Sequence, residues 1–173
     1  AERKLFYWGL GEGLINHYYS PGYEKKLHVL YRAISGMPRE ARVNTGMGML
    51  ALIFHYTASD VDVPAVLSAF PPEYHRLAFF FYGHGEGINY FLRPASVNFW
   101  RDNGNVDLQE GFASGVAECF HGDMEKTARY CRDFAIPEEA LLRAEKLYRF
   151  DPKTTGHDPA AREALVSLLG PGA

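Results

Sequence analysis

Two sets of residues in this 173-residue chain have the type and spacing to do chemistry. Glu118-Cys119-Phe120-His121 sets a carboxylate and an imidazole three positions apart, the Glu-x-x-His spacing with which helical proteins hold metal ions. Glu118 and His121 are therefore the candidate metal ligands. Glu12 and Glu86 stand at equivalent positions of two near copies of one motif, Trp8-Gly9-Leu10-Gly11-Glu12-Gly13 and Tyr82-Gly83-His84-Gly85-Glu86-Gly87. Asn16 and Asn89 follow these glutamates by four and three residues, so on a helix each amide shares a face with its carboxylate. Glu12, Asn16, Glu86 and Asn89 are the candidate ligand-binding residues. Their alternative role is a hydrogen-bond network that satisfies buried charge, because an unpaired buried carboxylate costs several kcal/mol. A di-iron bundle uses two Glu-x-x-His pairs and the chain has one, so the plainer reading of Glu118 and His121 is a glutamate and a histidine near a helix C-terminus. The seven histidines include His17, His55 and His84, which read better as partly buried, hydrogen-bonded side chains than as haem ligands, since no Cys-x-x-Cys-His motif accompanies them. No Gly-x-Ser-x-Gly elbow or Walker loop is present, and the sequence names no cofactor.

The elements that must position these residues are glycine-rich. A degenerate copy of the motif, Thr45-Gly46-Met47-Gly48-Met49-Leu50, lies midway between the two good ones, and a weaker one follows as Glu110-Gly111-Phe112-Ala113-Ser114-Gly115. Gly9 to Gly46 and Gly46 to Gly83 are both steps of 37 residues, and a fixed period of this length points to stacked supersecondary units. The apolar stripe Leu27, Leu30, Tyr31, Ile34, stopped by Gly36 and Pro38, has helical spacing. The expectation is an all-α fold of antiparallel helix-pair repeats of about 37 residues, stacked as a small solenoid or bundle over residues 1–150. A linker and a short C-terminal helix opened by Asp158-Pro159 occupy 151–173. Each glycine inside a helix costs about 0.8–1 kcal/mol relative to alanine, which is offset if a second backbone approaches the bare face. Gly9, Gly13, Gly83 and Gly87 are accordingly expected at close helix contacts. The competing α/β reading makes strands of Leu5-Phe6-Tyr7-Trp8 and Phe79-Phe80-Phe81-Tyr82, but the spacing is G-x-G-x-G and not the G-x-G-x-x-G of dinucleotide sites.

Composition narrows the function classes. A net charge of −3 argues against binding a phosphate backbone, and no apolar run approaches the roughly 18 residues that cross a bilayer. Cys119 and Cys131 read as free thiols, with a bridge left open and the compartment with it. The Gly-x-Gly segments, the Ala69-Phe70-Pro71 stretch between two of them, Leu108 to Ala117, Thr127-Ala128 with Cys131, and Glu138-Glu139-Ala140 together resemble a family of uncharacterised bacterial proteins encoded in enediyne antibiotic biosynthetic clusters. Members often carry an arginine after the Gly-x-Gly, where this chain has Met49 or Glu86. The resemblance covers most of residues 40–145 and implies an accessory role, with no catalytic residue attached. The sequence is thus read as a non-catalytic binding or assembly module, with a protein partner or a second copy as its target. The alternatives are a metal- or cofactor-binding helical protein, an accessory enzyme of natural-product biosynthesis, or a groove for a small apolar or aromatic ligand.

Overall fold

The computed structural model describes residues 2–18, 24–56, 62–89, 105–147, 163 and 165–170. Among them the elements are all helical: α1 (Glu2–Tyr18), α2 (Glu24–Ile34), α3 (Arg39–Tyr56), α4 (Val63–Ala69), a 3-10 turn (Pro72–Tyr74), α5 (His75–Asn89), α6 (Val106–Cys119), α7 (Met124–Asp133) and α8 (Glu138–Leu147). The strand alternative is thereby excluded, because Leu5 to Trp8 lies inside α1 and Phe79 to Tyr82 inside α5. The segment Ser96 to Trp100, expected as a weak helix, and the helix start at Asp158-Pro159 lie outside the described residues.

Local chemistry sets the visible helix starts. Asp62 Oδ1 accepts from Ala65 N at 3.1 Å ahead of α4, which carries Pro64 in its first turn. Asn105 Oδ1 accepts from Asp107 N at 3.0 Å ahead of α6, and Asp123 Oδ1 accepts from Lys126 N at 2.9 Å ahead of α7. On α2 the stripe Leu27, Leu30 and Ile34 is buried, and on α7 Thr127 and Cys131 turn inward. Two helices have no outer face over half or more of their length: α3 is buried from Val43 to Ala51 and α6 from Gln109 to Glu118. Such enclosure marks the centre of a helical core. The aromatic run of α5 belongs to that core, with Phe79, Phe80, Phe81 and Tyr82 all at 3% exposure or less. Leu165 and Leu168 join it too, and Gly170 N donates to Glu73 O at 2.9 Å, so this end of the chain packs back onto the 3-10 turn.

α1 packs on α3, α3 on α5 and α5 on α6, and glycine governs how closely. A Cβ placed on Gly11 would sit 2.8 Å from Met49 N, and one on Gly48 would sit 2.9 Å from the carbonyl carbon of Trp8. The pair α5 and α6 repeats the arrangement, with Gly83 against the carbonyl of Phe112 (2.9 Å to its carbon) and Gly115 against His84 N (2.7 Å) and the carbonyl of Phe80. In both pairs each helix supplies a glycine and a carbonyl, so the Cα–H of the glycine points at the carbonyl oxygen and the two backbones touch. Arg76 O faces Gly111 and, four residues on in each helix, Phe80 O faces Gly115, so α5 and α6 run in the same sense. Two residues along a helix are a rotation of about 200°, which turns the glycines of a Gly-x-Gly to opposite sides. Gly46 accordingly meets the ring of Tyr74 while Gly48 meets α1, and Gly85 meets the carbonyl of Phe54 while Gly83 meets α6.

The expectation for the four named glycines is therefore met in part. Gly83 sits at a close contact as expected, whereas Gly9 and Gly13 have no atom within 4 Å of an added Cβ. The buried glycine of α1 is Gly11, one position between them, because it is Gly11 that faces α3. The surroundings of Gly87 lie outside the described residues. Gly48→Ala and Gly83→Ala should each lower the unfolding free energy by about 1–3 kcal/mol, since a methyl group cannot be accommodated against a rigid carbonyl. Gly9→Ala and Gly13→Ala should each raise it by about 0.5–1 kcal/mol. Urea titrations of the four variants at low protein concentration check both signs, and equal losses at all four sites would refute the division into inner and outer glycines.

Candidate functional site

The residues singled out from sequence occupy three different environments. Glu12 is half-buried on α1, where its Oε1 accepts from Trp8 Nε1 at 2.7 Å, and the Trp8 ring stands edge-on to Phe81 at 5.9 Å between centroids. The described partner of Glu12 is thus an indole one turn earlier, and Asn16, expected to serve it, is exposed. Glu86 and Asn89 lie within α5, but their side chains are outside the described residues.

Glu118 and His121 are parted by the end of α6. Glu118 is fully buried in the last turn, while His121 is exposed and lies beyond the helix. There the chain closes a Schellman turn, with Gly122 N donating to Ala117 O at 2.9 Å and His121 N to Glu118 O at 3.0 Å. His121 takes the left-handed conformation, φ 55°, that such a turn demands at this position and that glycine normally fills. Among the described residues no group of three or more His, Cys, Asp or Glu side chains is placed to hold a metal ion. Cys119 and Cys131 are free thiols. Burial pushes the Cys119 thiol up to about 11 and holds that of Cys131 higher still, so both are protonated at neutral pH and poor nucleophiles.

Two polar clusters were not legible in the sequence. Glu110 is 7% exposed in the middle of α6 and forms an ion pair with Arg76 of α5. Arg143 of α8 approaches the same carboxylate at 3.7 Å while binding Asp107 Oδ1 at 3.0 Å and Glu139 Oε1 at 2.6 Å. Two guanidinium groups and three carboxylates meet across three helices, which suits a structural clamp holding α5 and α8 to α6. The signal available beforehand was a glutamate inside a run of small and apolar residues, Glu110 to Ala117, too apolar to be a solvent face. The second cluster surrounds Tyr74, whose ring lies over Gly46 and edge-on to Tyr31 at 5.6 Å between centroids. Burial holds its phenol well above the usual tyrosine range, with the Tyr31 hydroxyl adding to the shift. Tyr74 is a neutral wedge between helices.

A shallow, open apolar groove of about 560 Å³ lies along α1, on the side opposite the Gly11 contact with α3. Leu5, Phe6, Gly9, Leu10, Gly13, Leu14 and His17 line it. Phe6 is 67% exposed, and Gly9 and Gly13 leave the helix backbone bare between the leucines. The close helix contacts expected at these two glycines are absent among the described residues. No family model matches this chain, and neither a curated protein nor a solved structure does.

Two outcomes follow from these environments. Ala135 closes α7 in the same left-handed turn as His121, with φ 55° and Ile136 N donating to Cys131 O at 3.1 Å. Ala135→Gly and His121→Gly should each raise stability by about 0.5–1 kcal/mol, read as an upward shift of the thermal midpoint. A fall at His121 would mean that its imidazole contributes more than the turn strain costs. The second outcome concerns pH. A thiol whose folded pKa is raised stays protonated in the fold while the unfolded chain ionises, so its contribution is complete below about pH 9 and is lost as pH rises through the folded value. Stability should therefore fall steadily above pH 9, with Cys131, Tyr31 and Tyr74 acting in the same direction as Cys119. Denaturant midpoints measured from neutral pH to pH 11 test this, and a flat profile would contradict it.

Proposed function

We propose that the protein is a non-catalytic binding or assembly module, a stack of helix-pair units that docks a helical protein partner on the outer face of α1. In this reading α1, α3, α5 and α6 are the successive inner helices of the stack, and the chain serves as an accessory protein or subunit of a larger complex. The enediyne-cluster resemblance favours the same accessory role. The observation that carries the reading is the open glycine face. Gly-x-Gly helices α3 and α5 are covered on both glycine sides, whereas α1 is covered only at Gly11 and leaves Gly9 and Gly13 bare. Those two glycines forgo about 2 kcal/mol of helix propensity and gain no contact within the described molecule.

The shape of the groove also bears on the kind of ligand. Every described lining residue belongs to α1, so the described part of the groove is a single helical floor, an open shape that suits an extended partner better than a small molecule, which generally needs most of its surface buried. A helix laid along it supplies its own opposing wall, as in helix-in-groove recognition. The test is the mass of the protein isolated from its native source under mild conditions, for the wild type and for Gly13→Glu. A complex that Gly13→Glu releases without lowering the thermal midpoint is the expected result, and an unpartnered chain turning over a small molecule would sink the proposal.

A further inference from the structure

Tyr74 is the largest fully buried side chain among the described residues, and its hydroxyl has no hydrogen-bond partner there. A buried phenol normally finds one, because an unmade hydrogen bond forfeits the hydration of the group. The hydroxyl end of the ring lies over α3, where a Cβ placed on Gly46 would sit 3.6 Å from the oxygen. Arg42 stands one turn earlier on the same face of α3, half-buried, and enters no ion pair among the described residues. Tyr31 arrives from α2, also half-buried, with its ring edge-on to Tyr74 at 5.6 Å between centroids. The Tyr31 hydroxyl and the Arg42 guanidinium are the groups that act on the Tyr74 hydroxyl. Helices α2 and α3 and the 3-10 turn thus bring together two phenols and a guanidinium, with no acceptor bonded to the innermost hydroxyl.

We propose that Tyr31, Arg42 and Tyr74 form a binding site for a small organic carboxylate between α2, α3 and the 3-10 turn. The donor set selects the chemistry. A guanidinium presents parallel N–H groups that match a carboxylate, and an ionised carboxylate only accepts, on about four lone-pair sites. A water in the same place would have to direct two protons of its own into a cluster rich in donors. Glu73 fixes the charge: it neighbours Tyr74 in the turn, acts on Tyr31 with the opposite sign to Arg42, and enters no ion pair among the described residues. One guanidinium and one carboxylate leave the cluster without net charge, so a single negative charge is favoured over the two of a phosphate dianion. Phe70, 5.2 Å from Tyr31 and 6.0 Å from Tyr74 between ring centroids, supplies an apolar wall for the carbon part of the ligand. Tyr74 and Phe70 make the floor, and the half-buried Tyr31, Arg42 and Glu73 carry the cluster to the surface. The site does not depend on the α1 face.

Thermal midpoints of the full chain in rising sodium acetate test it, against sodium chloride and sodium phosphate at matched ionic strength. Acetate is expected to raise the wild-type midpoint saturably, as a ligand of the folded state does, and more than either control. Arg42→Gln and Tyr74→Phe should keep only the general salt effect. In acetate-free buffer Tyr74→Phe should melt no lower than the wild type, since the hydroxyl it removes is unbonded. An acetate response no larger than that to chloride, a larger response to phosphate, or an undiminished one in both variants would each overturn the proposal. So would a clear loss of stability in acetate-free Tyr74→Phe, which would show the hydroxyl bonded to the protein or to a water.

Discussion

The structure depends on carbonyl oxygens meeting bare glycine Cα atoms across helix pairs. Gly11, Gly48, Gly83 and Gly115 allow two backbones to touch where ordinary helices are held 8–10 Å apart by a layer of side chains. The gain is dispersion and weak Cα–H···O contact spread over the whole crossing, with no dependence on a side-chain rotamer. This accounts for how α3 and α6 can lie enclosed in a chain of this size. Thin helix pairs leave room for the bulky residues of α5, and Phe81 and Tyr82 reach across to Trp8 of α1 and Phe54 of α3 in the other pair. Phe54 and Tyr82 (5.4 Å between ring centroids) and Tyr82 and Phe112 (5.7 Å) carry the core from α3 through α5 to α6.

Much of this was legible in the sequence because it is local. Glycines at helical positions, the apolar stripe Leu27, Leu30, Ile34, and the stop at Gly36-Met37-Pro38 need only periodicity and backbone preference to interpret. The identity of the inner glycine was not legible. Gly-x-Gly points two ways, and which side faces a neighbour is a rotation of the whole helix, fixed by contacts distant in sequence. Motif alignment placed Gly9, Gly46 and Gly83 in register, yet one is open, one lies under a tyrosine ring and one touches a carbonyl. The second series at the same step, Gly11, Gly48 and Gly85, is the one in which every member meets a backbone carbonyl.

The candidate site was less legible, for a related reason. Spacing alone grouped Glu118 with His121, but a helix end intervenes, and the turn that closes it sends one residue inward and leaves the other in solvent. Glu110, by contrast, stands out in sequence only as a charge at the head of an apolar run, and it is central because Arg76 and Arg143 arrive from helices 34 and 33 positions away. The charged partner of a buried carboxylate is a property of the assembled fold, and no pattern within α6 foretells it.

Backbone contact also governs how the molecule can deform. Packed helices usually slide past one another by small adjustments of the side chains between them, which act as a compliant layer. Between α1 and α3, and between α5 and α6, that layer is missing. A shift of one residue would drive a neighbouring Cβ into a carbonyl. These pairs are consequently locked in register like meshed gears. The seam between α3 and α5 is pinned from one side only, by Gly85 of α5 against the carbonyl of Phe54, while Gly46 of α3 rests on the ring of Tyr74 in the 3-10 turn, and a ring can tilt. Each reciprocally matched pair thus holds its register from both sides, whereas the α3–α5 seam holds it through one glycine alone.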